Sequence, residues 1–196
     1  MDVNVTARLR MGVTVQGGTS TGRRLSDACA VRAILPEEGL VGGVTNPYCR
    51  VVEPYLTQAS GLATYTVPKV GILVSTTWRS TAGPQLAANY VASNAVIAAG
   101  PQPLGRALSG GAANVTVNLI KPGSLYGERQ NNIDFRLGKI VRVGRTRTQI
   151  TWDIYNIINT DAVLAVNNAF VPGGAWLTPT RIAPARYFKF SGSFDF

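Results

Sequence analysis

The chain has 196 residues, a net charge of +9 and only 15% charged residues, with a mean hydropathy of +0.10, a composition that excludes a disordered tail. No apolar run approaches the roughly 20 residues that a helix needs to cross a bilayer, so any crossing must be made by strands. Histidine is absent and the only cysteines are Cys29 and Cys49, which removes His-dependent triads and the common zinc constellations; no catalytic residue, metal or cofactor is expected.

From Val3 to Gly17 the odd positions Val3, Val5, Ala7, Leu9, Met11, Val13 and Val15 are apolar. The even ones include Asn4, Thr6, Arg8, Arg10, Thr14 and Gln16, so the period of two predicts one long amphipathic strand with both arginines on its polar face. Gly18 to roughly Pro54 dissolves into Gly, Thr, Ser and Pro punctuation and reads as a long loop. A second strand is expected from about Tyr55 to Val67, with Tyr55, Ala59, Gly61, Ala63, Tyr65 and Val67 as its outer face. Pro68-Lys69 then makes a tight reversal. A third strand, Val70 to about Arg79, places Ile72, Val74 and Trp78 on one face.

The interval from Ser80 to about Gln130 is broken by Gly83-Pro84, Pro101-Gln102-Pro103, Gly110-Gly111 and Pro122-Gly123. Inside it Ala113–Ile120 alternates cleanly, and is either a strand within the loop or a spanning strand. A fourth strand begins near Asn132, with Ile133, Phe135 and Leu137 opposite Asp134 and Arg136. Lys139 breaks its pattern, either because a bulge at Gly138 resets the register or because, in a membrane-spanning strand, the lysine lies near the headgroups and snorkels. Gly144-Arg145 supplies a short turn. The fifth strand, Thr146–Ile158, sets Ile150, Trp152, Ile154 and Ile158 against Arg147, Gln149, Thr151 and Asp153, and Asn159–Thr180 is the last loop.

The end of the chain alternates most sharply: Phe188, Phe190, Gly192, Phe194 and Phe196 fall on one face, Tyr187, Lys189, Ser191, Ser193 and Asp195 on the other. A strand ending on such an aromatic face resembles the closing strand of an outer-membrane β-barrel. The resemblance makes Tyr187, Phe188, Phe190, Phe194 and Phe196 a C-terminal assembly signal read by the barrel-assembly machinery, with Phe196 in the periplasmic aromatic girdle. Short turns alternating with long loops agree with barrel asymmetry, in which the long loops are extracellular. Cys29 and Cys49 fall in one such loop, which would face an oxidising compartment, so a disulfide between them is expected; the alternative is two unrelated thiols.

The whole chain resembles the C-terminal barrel segment of TonB-dependent outer-membrane receptors, especially those with an N-terminal carboxypeptidase-regulatory-like domain. Its motifs are Tyr126-Gly127-Glu128-Arg129-Gln130-Asn131-Asn132-Ile133-Asp134-Phe135-Arg136, Gly144-Arg145-Thr146-Arg147-Thr148, Asp153-Ile154-Tyr155-Asn156-Ile157-Ile158-Asn159, Trp176-Leu177-Thr178-Pro179-Thr180 and Ala185-Arg186 through Phe196. Upstream, Asn46-Pro47-Tyr48-Cys49 and Leu86-Ala87-Ala88-Asn89-Tyr90 belong to the same match. The resemblance implies an all-β fold, an antiparallel up-and-down transmembrane segment of about six spanning strands from a 22-stranded barrel. It implies uptake of a scarce ligand, such as a siderophore, an oligosaccharide or another large nutrient, across the cell outer membrane of a Gram-negative bacterium. The partners implied are outer-membrane lipid, the remainder of the receptor with its plug and upstream strands, the barrel-assembly machinery, and the TonB complex acting through that plug.

No signal-peptide pattern opens the sequence, so a cytosolic protein or the tail of a longer exported chain is expected. About six strands fall short of the roughly eight that the smallest barrels use, so this segment by itself is not expected to transport. The basic balance does not indicate a nucleic-acid partner, because the cations do not cluster with aromatics and no nucleic-acid-binding motif is present. Asp134 and Asp153, beside Arg136 and Arg147, are expected to make cross-strand ion pairs rather than a hydrolytic carboxylate pair. Because loops concentrate ligand contacts, Tyr48, Tyr90, Tyr126, Phe170 and Trp176 are the candidate ligand-facing aromatics, with ordinary loop packing as their alternative. The competing fold is a secreted or surface β-sandwich binding module for carbohydrate or adhesion, which would bury Phe135, Trp152, Phe188 and Phe190 between two sheets.

Overall fold

The computed structural model describes residues 1–9, 12–34, 40–41, 44–45, 47–101 and 105–195. It is an antiparallel all-β structure dominated by one sheet of seven strands: β1 (Asp2–Leu9), β2 (Val13–Gly22), β3 (Leu56–Val67), β4 (Ile72–Thr81), β5 (Gln130–Val143), β6 (Thr146–Tyr155) and β7 (Tyr187–Asp195). Each strand pairs with the next in sequence, so the sheet is an up-and-down meander. It does not close on itself: among the described residues no strand pairs with the outer edge of β1 or of β7.

The stretch expected to be one strand from Val3 to Gly17 is a hairpin. Leu9 pairs with Val13 and Val3 with Thr19, and Gly12, at φ 85, takes the left-handed conformation that a tight reversal needs. A three-residue connection returns odd positions to the same face, so Val13 and Val15 lie beside Leu9 and Ala7 and the alternation continues through the turn unbroken. Periodicity alone cannot see such a reversal. Arg8 lies on the polar face; Arg10 and Met11 are outside the described residues.

The other two short turns fall where the sequence put them. Between β3 and β4, Lys69 (φ 65) and Gly71 (φ 67) reverse the chain behind Pro68. Between β5 and β6, Gly144 has the positive φ, 62, that a two-residue type II′ hairpin demands at its first position. Pairing of β5 with both neighbours runs through Gly138 without a register shift, so there is no bulge there. Lys139 instead reaches past the end of the sheet, its Nζ donating to the Val70 carbonyl at 2.6 Å.

Three long connections, 23–55, 82–129 and 156–186, leave the opposite end of the sheet and interlock. Leu25–Asp27 pairs with Arg50–Val52, and a disulfide joins Cys29 to Cys49 across a separation of 20 residues. The alternating segment around 113–120 is a loop strand, Asn114–Asn118. It pairs antiparallel with Asn89–Ser93 and parallel with Val44–Thr45 in a separate four-stranded sheet. Val163–Val166 pairs with Pro179–Ile182 inside the third connection. The β6 strand stops at Tyr155, leaving Ile158 beyond it, because Asn156 turns left-handed (φ 51). The buried Asn156 side chain donates to the Thr160 and Pro184 carbonyls and fastens that connection.

Candidate functional site

The registers decide which residues share a face. Starting from Val3, Val5, Ala7 and Leu9, they carry one face across all seven strands: Val13 and Val15, then Ala59, Ala63, Tyr65 and Val67, then Ile72, Val74 and Trp78. It continues through Ile133, Phe135, Leu137, Ile150, Trp152 and Ile154 to Phe188, Phe190 and Phe194. Between Val3 and Phe194 the only charge on this face within the strands is Lys139. The half-buried ring of Trp152 stacks against Phe188 (6.0 Å) and Phe190 (6.2 Å).

Phe188, Phe190 and Phe194 are 57%, 75% and 64% exposed. At about 200 Å² per aromatic side chain, these three alone present on the order of 400 Å² of apolar surface, as much as the largest patch on an ordinary soluble monomer. Of the four residues that a sandwich would bury, Phe188 and Phe190 stand exposed while Phe135 and Trp152 are half-buried.

The other face is polar and partly concave. A recess of about 620 Å³ is lined by Gln16, Ser60, Thr77, Arg79, Asn132 and Asp134 among others. Arg136 and Asp153 oppose each other across β5 and β6. The Arg136 Nε and Nη2 donate to the two Asp153 carboxylate oxygens at 2.5 and 3.2 Å, and the Asp153 residue is only 3% exposed. Asp134 finds no arginine; its Oδ1 accepts from the Asn156 backbone N–H (2.9 Å) and from Asn132 Nδ2 (3.1 Å), and Arg147 makes no ion pair among the described residues. The expected ion-pair pattern thus holds at one pair of the two. Tyr155 and Tyr187 stack on this face with centroids 4.6 Å apart, so Tyr187 parts from the other aromatics of β7. Phe196 lies outside the described residues.

The loop aromatics divide into two groups. Phe170 and Trp176 meet edge-to-face at 5.6 Å, and the Trp176 Nε1 donates to the Ala87 carbonyl at 2.9 Å. The Phe170 backbone N–H donates to the carbonyl of Asn89, next to Tyr90, which itself pairs with Val117. Tyr48 lies under Lys121, with Nζ 6.0 Å from the ring. Tyr126 pairs with Gln85 through an isolated bridge, and burial, aided by the charge of Glu53, pushes its phenol above the ordinary value. Its hydroxyl has no hydrogen-bond partner among the described residues.

What sequence reasoning missed is the polar ring where the apolar face meets the long connections. Ser80 donates to Asn131 Oδ1 at 2.6 Å, and the Thr21 and Thr57 hydroxyls share a hydrogen bond at 2.9 Å. Arg129 lies across both strands, donating to Ser80 Oγ (3.1 Å) and to the Thr57 carbonyl (2.6 Å). Arg23 sits 5.0 Å over the Tyr55 ring. The signal was a break in the apolar alternation at the strand ends, legible only once the register is known. No family model, curated protein or solved structure matches the chain.

Proposed function

We propose that the seven-stranded sheet is a section of the wall of an outer-membrane β-barrel. On this reading the chain is the C-terminal part of a TonB-dependent receptor that takes up a scarce ligand such as a siderophore, an oligosaccharide or another large nutrient. One observation carries the reading: the sheet presents most of its apolar rings, those of Phe188, Phe190 and Phe194 foremost, on an exposed face and its carboxylates on the other.

The dimensions support it. Lys139 and Arg129 stand ten residues apart on one face of β5 and its approach, with Leu137, Phe135 and Ile133 between them. At about 3.3 Å per residue that is roughly 33 Å along the strand, or about 25 Å after a 40° tilt, the height of the apolar band on a barrel. The open edges support it too, because backbone groups left unpaired in hydrocarbon cost several kcal/mol each and demand neighbouring strands. The rest of the receptor supplies those strands and the plug through which the TonB complex acts. The β7 strand is the assembly signal, the long connections face the outside, and Tyr48, Tyr90, Tyr126, Phe170 and Trp176 belong to the layer a ligand meets first.

The chain's three tryptophans offer the test. In vesicles with brominated acyl chains, versions of the intact protein retaining only Trp78 or only Trp152 are quenched, whereas one retaining only Trp176 is not. An unquenched Trp152, in a protein that folds cooperatively in buffer without detergent, would return the reading to a soluble sandwich. Uptake that survives collapse of the inner-membrane proton gradient would remove the TonB-coupled part.

A further inference from the structure

The net charge of +9 is not spread evenly along the strands. At the short-turn end stand Arg8, Lys69, Lys139, Arg142, Arg145 and Arg147, with Asp195 as the carboxylate there among the described residues. Arg142 and Arg147 are direct partners across β5 and β6, in the same alternation as Arg136 and Asp153 and so on the polar face. Like charges directly opposite each other destabilise a strand pair. Among the described residues the ion pairs are Arg50 with Asp27 and Arg136 with Asp153, so neither arginine of this pair has one. Asp195 partners Arg147 from β7 without closing an ion pair.

Lys69 extends this row of cations. The Ile140 backbone N–H donates to the Gly71 carbonyl, which brings the turn between β3 and β4 against β5. Lys69 and Arg142 there line one recess of about 330 Å³ together with Pro68, Val70 and Ile140. Lys69 also holds a left-handed conformation, φ 65, in which glycine would rest without strain. Backbone strain of this kind collects at functional sites. A recess that joins two cations to an apolar lining suits a carboxylate and an apolar side chain carried on one segment.

Resting on the wall reading above, which puts this end in water, we infer that the short-turn end of the polar face docks a separate protein through a peptide segment of carboxylates beside an apolar side chain. Arg142 and Arg147 share the carboxylates, which removes their mutual repulsion, and Lys69 holds the segment where its apolar side chain enters the recess. Guanidinium groups suit this partner because their planar fork matches carboxylate oxygens two at a time. A lipid headgroup is the wrong occupant, because Arg142 and Arg147 alternate with the apolar face rather than sharing it. All three cations are exposed and lie beyond Lys139, past the end of that face, so the partner reaches them from the compartment that the short turns meet.

The test uses the intact protein in nanodiscs of zwitterionic lipid and a fluorescent hexapeptide with aspartates around one leucine, binding being read by anisotropy. The peptide is expected to bind saturably, to release as salt rises from about 50 to about 500 mM, and not to bind when its aspartates are replaced by asparagines. Arg142→Gln with Arg147→Gln weakens binding about tenfold, about threefold for each exposed ion pair lost, and Lys69→Gly weakens it about threefold. The first change relieves like-charge repulsion and the second relieves left-handed strain, so unfolding stability holds or rises in both while binding falls. Arg181→Gln with Arg186→Gln, in the long connections, leaves binding as it is. Unchanged binding in the Arg142 and Arg147 double variant, equal binding of the asparagine peptide, loss of stability in both variants, or displacement of the peptide by anionic lipid added to the nanodisc would each overturn the site. Protein that inserts normally yet shows any of these leaves the wall reading standing; protein that never enters the nanodisc removes both.

Discussion

The seven-stranded sheet and the layer of long connections are built from one chain by opposite rules. In the connections the buried side chains are mostly apolar among the described residues, Val51, Leu86 and Ala88 against Asn156, and a disulfide closes the first of them. In the sheet the buried residues are Ser80, Thr151 and Asp153, while Phe190 and its neighbours stand exposed. On the wall reading proposed above, the difference is one of solvent: water around the connections, hydrocarbon against one face of the sheet.

The sharpest way to break this comparison is to put a charge on the exposed face. Phe190→Arg places a guanidinium beside Trp152 on the apolar face, and is expected to destabilise the intact protein in bilayers by about 2 kcal/mol or more, up to about 4 kcal/mol. Ser191→Arg, one residue along and on the polar face, should change stability by less than about 0.5 kcal/mol. Denaturant unfolding from vesicles measures both, and equal effects would mean that the two faces meet the same medium. Next in size is the connection layer's own staple. Replacing Cys29 and Cys49 by serine opens a loop of about 20 residues, which removes about 3 kcal/mol from that region in the chain-entropy account. Amide exchange should rise across residues 23–34 and 47–55 and stay unchanged in β5–β7; loss of protection in the sheet would show that the regions are not separable.

Much of the sheet was legible because its signal is local. A period of two, broken by Pro68-Lys69 and Gly144-Arg145, places β3 to β7 and their faces to within a few residues. The first hairpin was not legible, since an odd-length turn preserves parity and Val13 simply continues the series from Val3. Lys139 showed that something interrupts the face, but excluding a bulge needed the unbroken pairing at Gly138. The connection layer was the least legible part, because its pairings join segments far apart in sequence, such as Val44–Thr45 with Thr116–Val117. The ring of Ser80, Asn131, Thr57 and Arg129 was hidden for the same reason.

On the polar face, Asp153 is the group whose loss should be felt next. It is almost wholly buried and takes both of its hydrogen bonds from Arg136, whose own side chain is 48% exposed. Removing one partner of a fully buried pair costs about 3–5 kcal/mol, but the water that reaches Arg136 screens this one, so about 1–2 kcal/mol is expected for Asp153→Asn. The double change Arg136→Gln with Asp153→Asn should recover part of that, and strict additivity would show that the pair is not coupled.

Tyr126→Phe is expected to have the smallest effect, and it probes the connection layer from the other side. The Tyr126 hydroxyl is buried without a partner among the described residues, and burial holds its pKa above the ordinary phenol value. A donor that has left water and gained nothing is a cost in the folded state, so deleting the oxygen should be neutral or stabilising by no more than about 1 kcal/mol. The sign with pH follows from the raised value. The neutral phenol's advantage is complete below the unfolded pKa near 10 and disappears as pH rises through the higher folded one, so the wild type loses stability there faster than the Phe variant. Unfolding curves for the two proteins at pH 8 and pH 11 measure the difference. A Phe variant that is clearly less stable at pH 8 would mean that the hydroxyl has found a partner, and that this corner of the layer is better satisfied than its geometry indicates.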